Sequence, residues 1–303
     1  SHFDVILFDE AQDANPVTTS LVIGQPCTLI FVGDSHQQIY RWRGANNSLN
    51  HPAMAHADIL FLTHSFRFGP NVAAVANAIL FQKNERRPVI GRGSDDFIVD
   101  TLPKKCRRTI IHRTVFNVIE SGLKALESHQ NIYWVSGIQA YDVDALKDIY
   151  WFSNEKPEKV RIKKLLKDYK SFDEYKRVAK ETNDFEMLRA IHLLNKYPDL
   201  PQLIDQMIDR CVDDESLADI ILTTGHRSKG LEWDTVELSD DFNWLDPTTG
   251  EVLEDEVNLL YVAATRAMKT LKIDKNIVSL LKIKKDSIFN AKKVRNNEPQ
   301  EIK

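Results

Sequence analysis

VILFDEAQDANP, residues 5–16, and TLIFVGDSHQQIYRWRGA, residues 28–45, decide the fold. Each is an apolar, β-branched run that stops abruptly at acidic residues. Short apolar runs of this kind read as buried parallel strands. In an open α/β sheet the ligand sits beyond the carboxyl ends of the strands, which is where Asp9, Glu10 and Asp34 fall. A carboxylate there can hold a magnesium ion while a second orients an attacking water. DExx alone specifies little and is compatible with a surface turn after a strand. Followed at this distance by GDxxQxIYRWRGA, it points to a nucleotide site at a sheet edge.

Working outward, the 303 residues suffice for two domains. Hydrophobic content of 43% and charged content of 28% are those of ordinary globular proteins. No apolar stretch approaches the ~20 residues of a membrane span, and no secretory signal opens the chain. Cys27, Cys106 and Cys211 are far apart and odd in number, so neither a disulfide framework nor a C-x-x-C metal site is suggested. A reducing intracellular compartment fits that usage. The net charge of −4 does not advertise nucleic-acid binding, yet a local basic track on an acidic whole remains compatible with it.

Residues 1–50 read as strand, loop, strand, loop. ADILFLTHSF opens a second α/β segment, with a strand expected at 58–62 and a helix in PNVAAVANAILFQ, where Pro70 suits the first turn. RRTIIH (107–112) reads as a strand and VFNVIESGLKALESH as a helix. From 153 to 216 strand signals vanish. Ile162, Leu165, Leu166 and Tyr169 fall on one helical face, as do Leu203, Ile204, Met207 and Ile208. Strands return at DIILTT, TVELSD and TLKID between 217 and 280. Residues 281–303 form a lysine-rich, poorly patterned tail expected to be disordered.

These segments resemble the motifs of UvrD/Rep-type superfamily 1 DNA helicases. DEAQD resembles motif II, and VGDSHQQIYRWRGA motif III. THSFRFGPNVAAVANAIL (63–80) resembles motif IV, ILTTGHRSKGLEWDTVEL (221–238) motif V, and EVNLLYVAATRAMKTLKI (256–273) motif VI. IYWVSGIQAYDVDALKDIYWF and SKGLEWDTVELSDDF are most similar to the F-box DNA helicases. The resemblance covers roughly residues 3–275 and implies an α/β, RecA-like P-loop NTPase helicase core. In that frame 1–57 is the second half of RecA-like domain 1A, and 58–152 with 217–280 is domain 2A. Residues 153–216 are a small helical insertion at the position of the family's 2B. The phosphate-binding G-x-x-x-x-G-K-[ST] loop, motif Ia and an F-box segment do not occur in these residues. The expectation is therefore a C-terminal piece of a helicase or a truncated homologue, a poor ATPase alone.

By resemblance, ATP and Mg²⁺ are the cofactors, with Asp9 a magnesium ligand and Glu10 the base acting on water. Gln37 matches the γ-phosphate sensor. Arg67 and Arg266 match residues that reach the γ-phosphate, where guanidinium charge stabilises the transferred group. Phe66 matches an aromatic that stacks on adenine, with HSFR in place of the usual NYR. Glu232 matches a ribose-binding residue, and Gly230 lies in the same nucleotide-binding motif. Tyr40, Trp42 and Arg43 form a stacking platform for single-stranded DNA, grip without sequence reading; a tryptophan buried in a core or between domains is the plainer reading of Trp42. His226 and Lys229 match positions near DNA and the domain interface. The lysine run from Lys156 to Lys180 is either a duplex contact or a solvated face, the latter being commoner. The implied partners are single-stranded DNA and single-strand/duplex junctions, with ubiquitin-ligase subunits only where an F-box accompanies the core. The implied activity is a 3′→5′ DNA helicase of recombination and replication-fork repair, in the nucleus. The alternative is a helicase-like remnant that binds or interacts but does not hydrolyse ATP.

Overall fold

The computed structural model describes residues 3–281 apart from Lys104. Its strands, in chain order, are β1 (Val5–Phe8), β2 (Thr28–Phe31), β3 (His64–Ser65), β4 (Ile90–Gly91), β5 (Phe97–Val99), β6 (Arg108–His112), β7 (Ile132–Trp134), β8 (Ile220–Thr224), β9 (Trp233–Leu238) and β10 (Ala267–Lys272). These strands pair in parallel and helices make the crossovers, an α/β architecture. The lysine-rich tail expected at 281–303 lies, from residue 282 on, outside the described residues.

The chain forms two compact units. One takes the described residues of 1–102, 229–238 and 242–303. In it β1 pairs with β2 from Val5↔Thr28 to Phe8↔Phe31, β3 with β4, and β10 lies between β5 and β9. Helix Pro70–Phe81 packs against helix Glu254–Ala264, which is buried from Val257 to its end. Pro70 occupies the first turn of its helix as expected. What the sequence did not disclose is the cap. Asp96, buried, accepts from the backbone N–H groups of Asn71 (3.0 Å) and Val72 (2.7 Å), so a distant carboxylate satisfies donors that the helix leaves open.

Two expectations fail in this unit. Residues 58–62 do not form a strand; pairing begins only at His64. A strand needs partners for its N–H and C=O groups, and 59–62 has no strand beside it among the described residues. Leu60 and Leu62 stand 90% and 93% exposed. The apolar residues of β1 and β2 are likewise not buried on both faces. Val5, Leu7 and Ile30 are exposed, because two strands alone cannot enclose their own side chains.

The second unit comprises described residues of 103–228 and 239–241. Here β8 lies between β6 and β7. Helix Val115–Glu127 and helices Phe172–Glu181, Phe185–Lys196 and Leu200–Asp209 share one core with the strands. Val118, Ile119 and Leu123 cluster with Leu193, Ile204, Met207 and Leu222. The all-helical reading of 153–216 agrees with the structure, but the segment has no core of its own and so shares a unit with 103–152. Ile162 departs from its expected face, since it precedes helix Lys163–Asp168 in a non-helical conformation and is exposed.

Candidate nucleotide and nucleic-acid site

The acidic ends of β1 and β2 are tied together by one side chain. Gln12, buried, donates through Nε2 to Glu10 Oε2 and accepts at Oε1 from the backbone N–H of Asp34 (3.0 Å). Its carbonyl accepts from Gln38 Nε2 at 2.8 Å. This approach is possible because residue 33 is glycine: a Cβ there would lie 2.4 Å from Gln12 Oε1. Asp34 then holds the next turn, accepting from the His36 N–H and from Gln37 Nε2, both at 2.8 Å. Glu10 itself sits in the left-handed region, φ 51°, and its N–H donates to Asp9 Oδ1 at 2.8 Å.

Lys229 reaches this network from beyond β8. Its Nζ lies 2.9 Å from Glu10 Oε2, pairs with Asp13, and donates to the Gln37 carbonyl at 3.2 Å. Burial works to raise the Glu10 pKa, but the hydrogen bond and charge of Lys229 outweigh it and leave the carboxyl below its ordinary value. On Lys229 burial works downward, and its bonds to Asp13 and Glu10 outweigh that, so the ammonium is held above its ordinary value. Both groups are charged at neutral pH.

A second cluster gathers the arginines. Arg67 Nε donates to Glu232 Oε2 at 2.6 Å. Arg266, 2% exposed, donates to the carbonyls of Val262 (2.9 Å) and Leu231 (3.1 Å) and to Thr265 Oγ1 (3.2 Å). Burial and the neighbouring Arg67 charge pull its pKa down to about 10, still cationic at neutral pH. The charge of Arg266 reaches Glu10, so the two clusters share one field. Gly230, φ 82°, makes the left-handed turn between Lys229 and the segment bearing Glu232. Phe66, 80% exposed, offers an open ring beside Arg67.

The Tyr40–Arg43 turn adjoins the acidic network. The Arg43 guanidinium lies 4.6 Å from the Trp42 ring centroid and 5.3 Å from that of Tyr40, and Lys229 Nζ is 5.8 Å from Tyr40. Trp42 is 67% exposed, so it is not a core tryptophan. Arg41 reaches Glu254 at 3.2 Å, and Asn258, fully buried, donates to the Gln38 carbonyl at 2.9 Å. His226 belongs to the other compact unit. No group of three or more His, Cys, Asp or Glu side chains gathers as a metal cage among the described residues. Asp9, exposed and oxygen-donating, suits an ion such as Mg²⁺ that takes one or two carboxylates and keeps the rest of its shell for water and phosphate.

The structure thus brings Asp9, Glu10, Gln37, Tyr40, Trp42, Arg43, Phe66, Arg67, Gly230, Glu232 and Arg266 into one unit. Sequence reasoning missed Gln12, Asp13 and Asn258, and it left Lys229 without a stated partner. Gln12 and Asp13 stand inside the quoted acidic run, but nothing local announces whom they bind.

A model of the UvrD-like helicase C-terminal domain matches residues 70–276, and one of the UvrD/REP helicase N-terminal domain matches residues 1–54. F-box DNA helicase 1 of Gallus gallus is 33% identical over 93% of this chain and 30% of its own length. F-box DNA helicase protein 1 of Schizosaccharomyces pombe is 30% identical over 92% of this chain and 35% of its own. ATP-dependent DNA helicase PcrA of Leuconostoc citreum is 36% identical over 28% of this chain and 12% of its own. The chain spans about a third of the length of the F-box relatives.

Proposed function

This chain belongs to the UvrD-like helicase family, and from that premise we propose that it is the C-terminal part of an ATP-dependent DNA motor. It comprises the second half of RecA-like domain 1A, domain 2A and a small 2B-like insertion. The observation that carries the reading is the shared ammonium of Lys229. One cation touches the proposed base Glu10 and the carbonyl of Gln37, beside the Tyr40–Arg43 turn proposed to grip DNA.

In this reading Glu10, ionised, accepts a proton from the attacking water. Gln37, its amide held by Asp34, faces the γ-phosphate; Arg67 and Arg266 supply positive charge to the transferred group. Asp9 holds Mg²⁺, which neutralises phosphate charge when bound. Phe66 stacks on the base, and Glu232, Gly230 and their segment receive the sugar. Trp42, with Tyr40 and Arg43, stacks on single-stranded DNA; His226, in the other unit, is by family resemblance also a DNA contact. Translocation is 3′→5′, and the setting is recombination and replication-fork repair in the nucleus. Ubiquitin-ligase subunits are partners only where an F-box accompanies the core.

The 303 residues contain no G-x-x-x-x-G-K-[ST] loop, and backbone N–H groups and a lysine of that kind cradle the phosphates. We therefore expect this chain alone to turn over ATP very slowly; robust DNA-stimulated turnover by it would refute that. The alternative reading is a helicase-like remnant that does not hydrolyse ATP. Reading the coding sequence upstream of Ser1 separates them. An in-frame phosphate loop, with DNA-stimulated ATPase in the longer product that Glu10→Gln abolishes, supports the motor. A start codon next to β1 supports the remnant.

A further inference from the structure

We infer that Asn258 is a positioning residue for Gln37. From helix Glu254–Ala264 it sets the backbone turn that presents the Gln37 amide, and so ties that turn to the element that bears Arg67 and Arg266. This rests on the reading of those three residues as groups that meet the γ-phosphate, and the two fail by different results.

From Val257 to Ala264 every residue of the helix is buried, and Asn258 is the one carboxamide among them. An amide taken out of water costs stability unless its donors and acceptor are met. Here they are met. Asn258 Nδ2 donates to the Gln38 carbonyl at 2.9 Å and, more weakly, to the Ser35 carbonyl at 3.5 Å, while its Oδ1 accepts from Lys83 Nζ at 2.8 Å. The two carbonyls bracket Gln37, so one amide grips the turn on both sides of it. The same helix face repeats the contact, because Glu254, Asn258 and Tyr261 stand at i, i+4 and i+7. Glu254 accepts from Arg41 at 3.2 Å and pairs with Lys83 at 2.8 Å. Tyr261 meets the His36 ring in a T-shaped contact with centroids 6.2 Å apart.

At its far end the helix carries the arginines. The Thr265 carbonyl accepts from Arg67 at 3.4 Å, and Arg266 follows and bonds back to the Val262 carbonyl. A displacement of either guanidinium therefore moves an element that also holds the Gln37 turn. The bonds that Asp34 makes to His36 and Gln37 shape the turn, and Gln12 fixes it to the strands, but none of them reaches this helix. Lys229 meets the Gln37 carbonyl from a different segment. Of the ties to the helix itself, the Arg41–Glu254 pair is more than 40% exposed on each side and so is weak. Asn258 supplies the buried one, and a fully satisfied buried amide fixes a unique arrangement more firmly than an apolar side chain does.

Two variants of the 303-residue chain divide the amide's bonds. Asn258→Asp keeps the acceptor for Lys83 and loses both donors, whereas Lys83→Met does the reverse. In hydrogen exchange read by mass spectrometry, Asn258→Asp should speed exchange across residues 34–41 roughly tenfold while helix Pro70–Phe81 stays protected. Lys83→Met should leave residues 34–41 near wild type. Unchanged protection of 34–41 in Asn258→Asp, or equal loosening in both variants, overturns the inference. If the carboxylate unfolds the chain, Asn258→Ala, which also lacks the donors, is held to the same outcomes. The role in the reaction is read in the longer coding product that carries a phosphate loop. There Asn258→Asp should lower kcat for ATP about tenfold and leave KM within about twofold. Added to Gln37→Ala it should cost nothing further, since it acts through that side chain. Losses that multiply in the double variant overturn the positioning of Gln37. A wild-type product without turnover removes the γ-phosphate reading instead, and exchange alone then decides whether Asn258 holds the turn.

Discussion

Replacing Lys229 with methionine keeps most of the apolar stem and removes only the charge shared by Asp13, Glu10 and the Gln37 carbonyl. The Lys229 and Asp13 side chains are 11% and 13% exposed. Breaking a buried pair by deleting one partner costs about 3–5 kcal/mol, because the other charge is stranded. Glu10 is more than half exposed, so its share is screened to a small fraction of that. What remains is the stranding of Asp13, whose Oδ1 already has no hydrogen-bond partner. The loss should be about 3 kcal/mol, or roughly 6–12 °C in melting temperature at about 2–4 °C per kcal/mol. Because the folded-state pKa of Lys229 is raised, its contribution is fully present below the unfolded value of 10.5. It is lost only as pH rises through the higher folded value. The gap between wild type and variant should therefore stay constant between about pH 6 and 9 and survive high salt, since a buried pair is poorly screened. Circular-dichroism melting measures both. Adding Asp13→Asn should restore most of the loss by neutralising the stranded charge. A variant that melts with the wild type, or a double variant no better than the single, would refute the reasoning.

Trp42→Ala should leave melting unchanged, since its ring is exposed, and should weaken single-stranded DNA binding by about 1–3 kcal/mol; normal melting with normal binding would count against the stacking role. Asp96→Ala removes the carboxylate that caps helix Pro70–Phe81 at two backbone N–H groups and should cost about 3 kcal/mol, read in the same melts. Gly33→Ala drives a methyl group into Gln12 Oε1 and the backbone beside it, at about 1–3 kcal/mol, and Gln12→Ala added to it should recover part of the loss.

Several elements were legible because their signals are local. The Pro70 helix start, the strands at 108–112 and 220–224, and the helical texture of 153–216 follow from side-chain periodicity and from a ring that fixes one backbone angle. The strand expected at 58–62 failed for the opposite reason: Ile59–Leu62 has strand composition, but a strand is a property of two segments. Ile162 failed because a helical face exists only after the helix has begun.

In the site, the order and spacing of the acidic run, the Tyr40–Arg43 turn, Arg67 and Arg266 were all readable along the chain, and they suffice to mark a member of the UvrD-like helicase family. Composition and periodicity act over a few residues, and motif order survives any folding that preserves it. The partners were not readable. That Lys229 closes on Asp13, that Gln12 bridges β1 to Asp34, and that Asp96 caps a helix begun at residue 70 are contacts across 216, 22 and 25 residues of chain. Such contacts cost chain entropy to form and are repaid only when packing brings the segments together. The tertiary structure alone therefore decides which charges are shared and which are left facing outward.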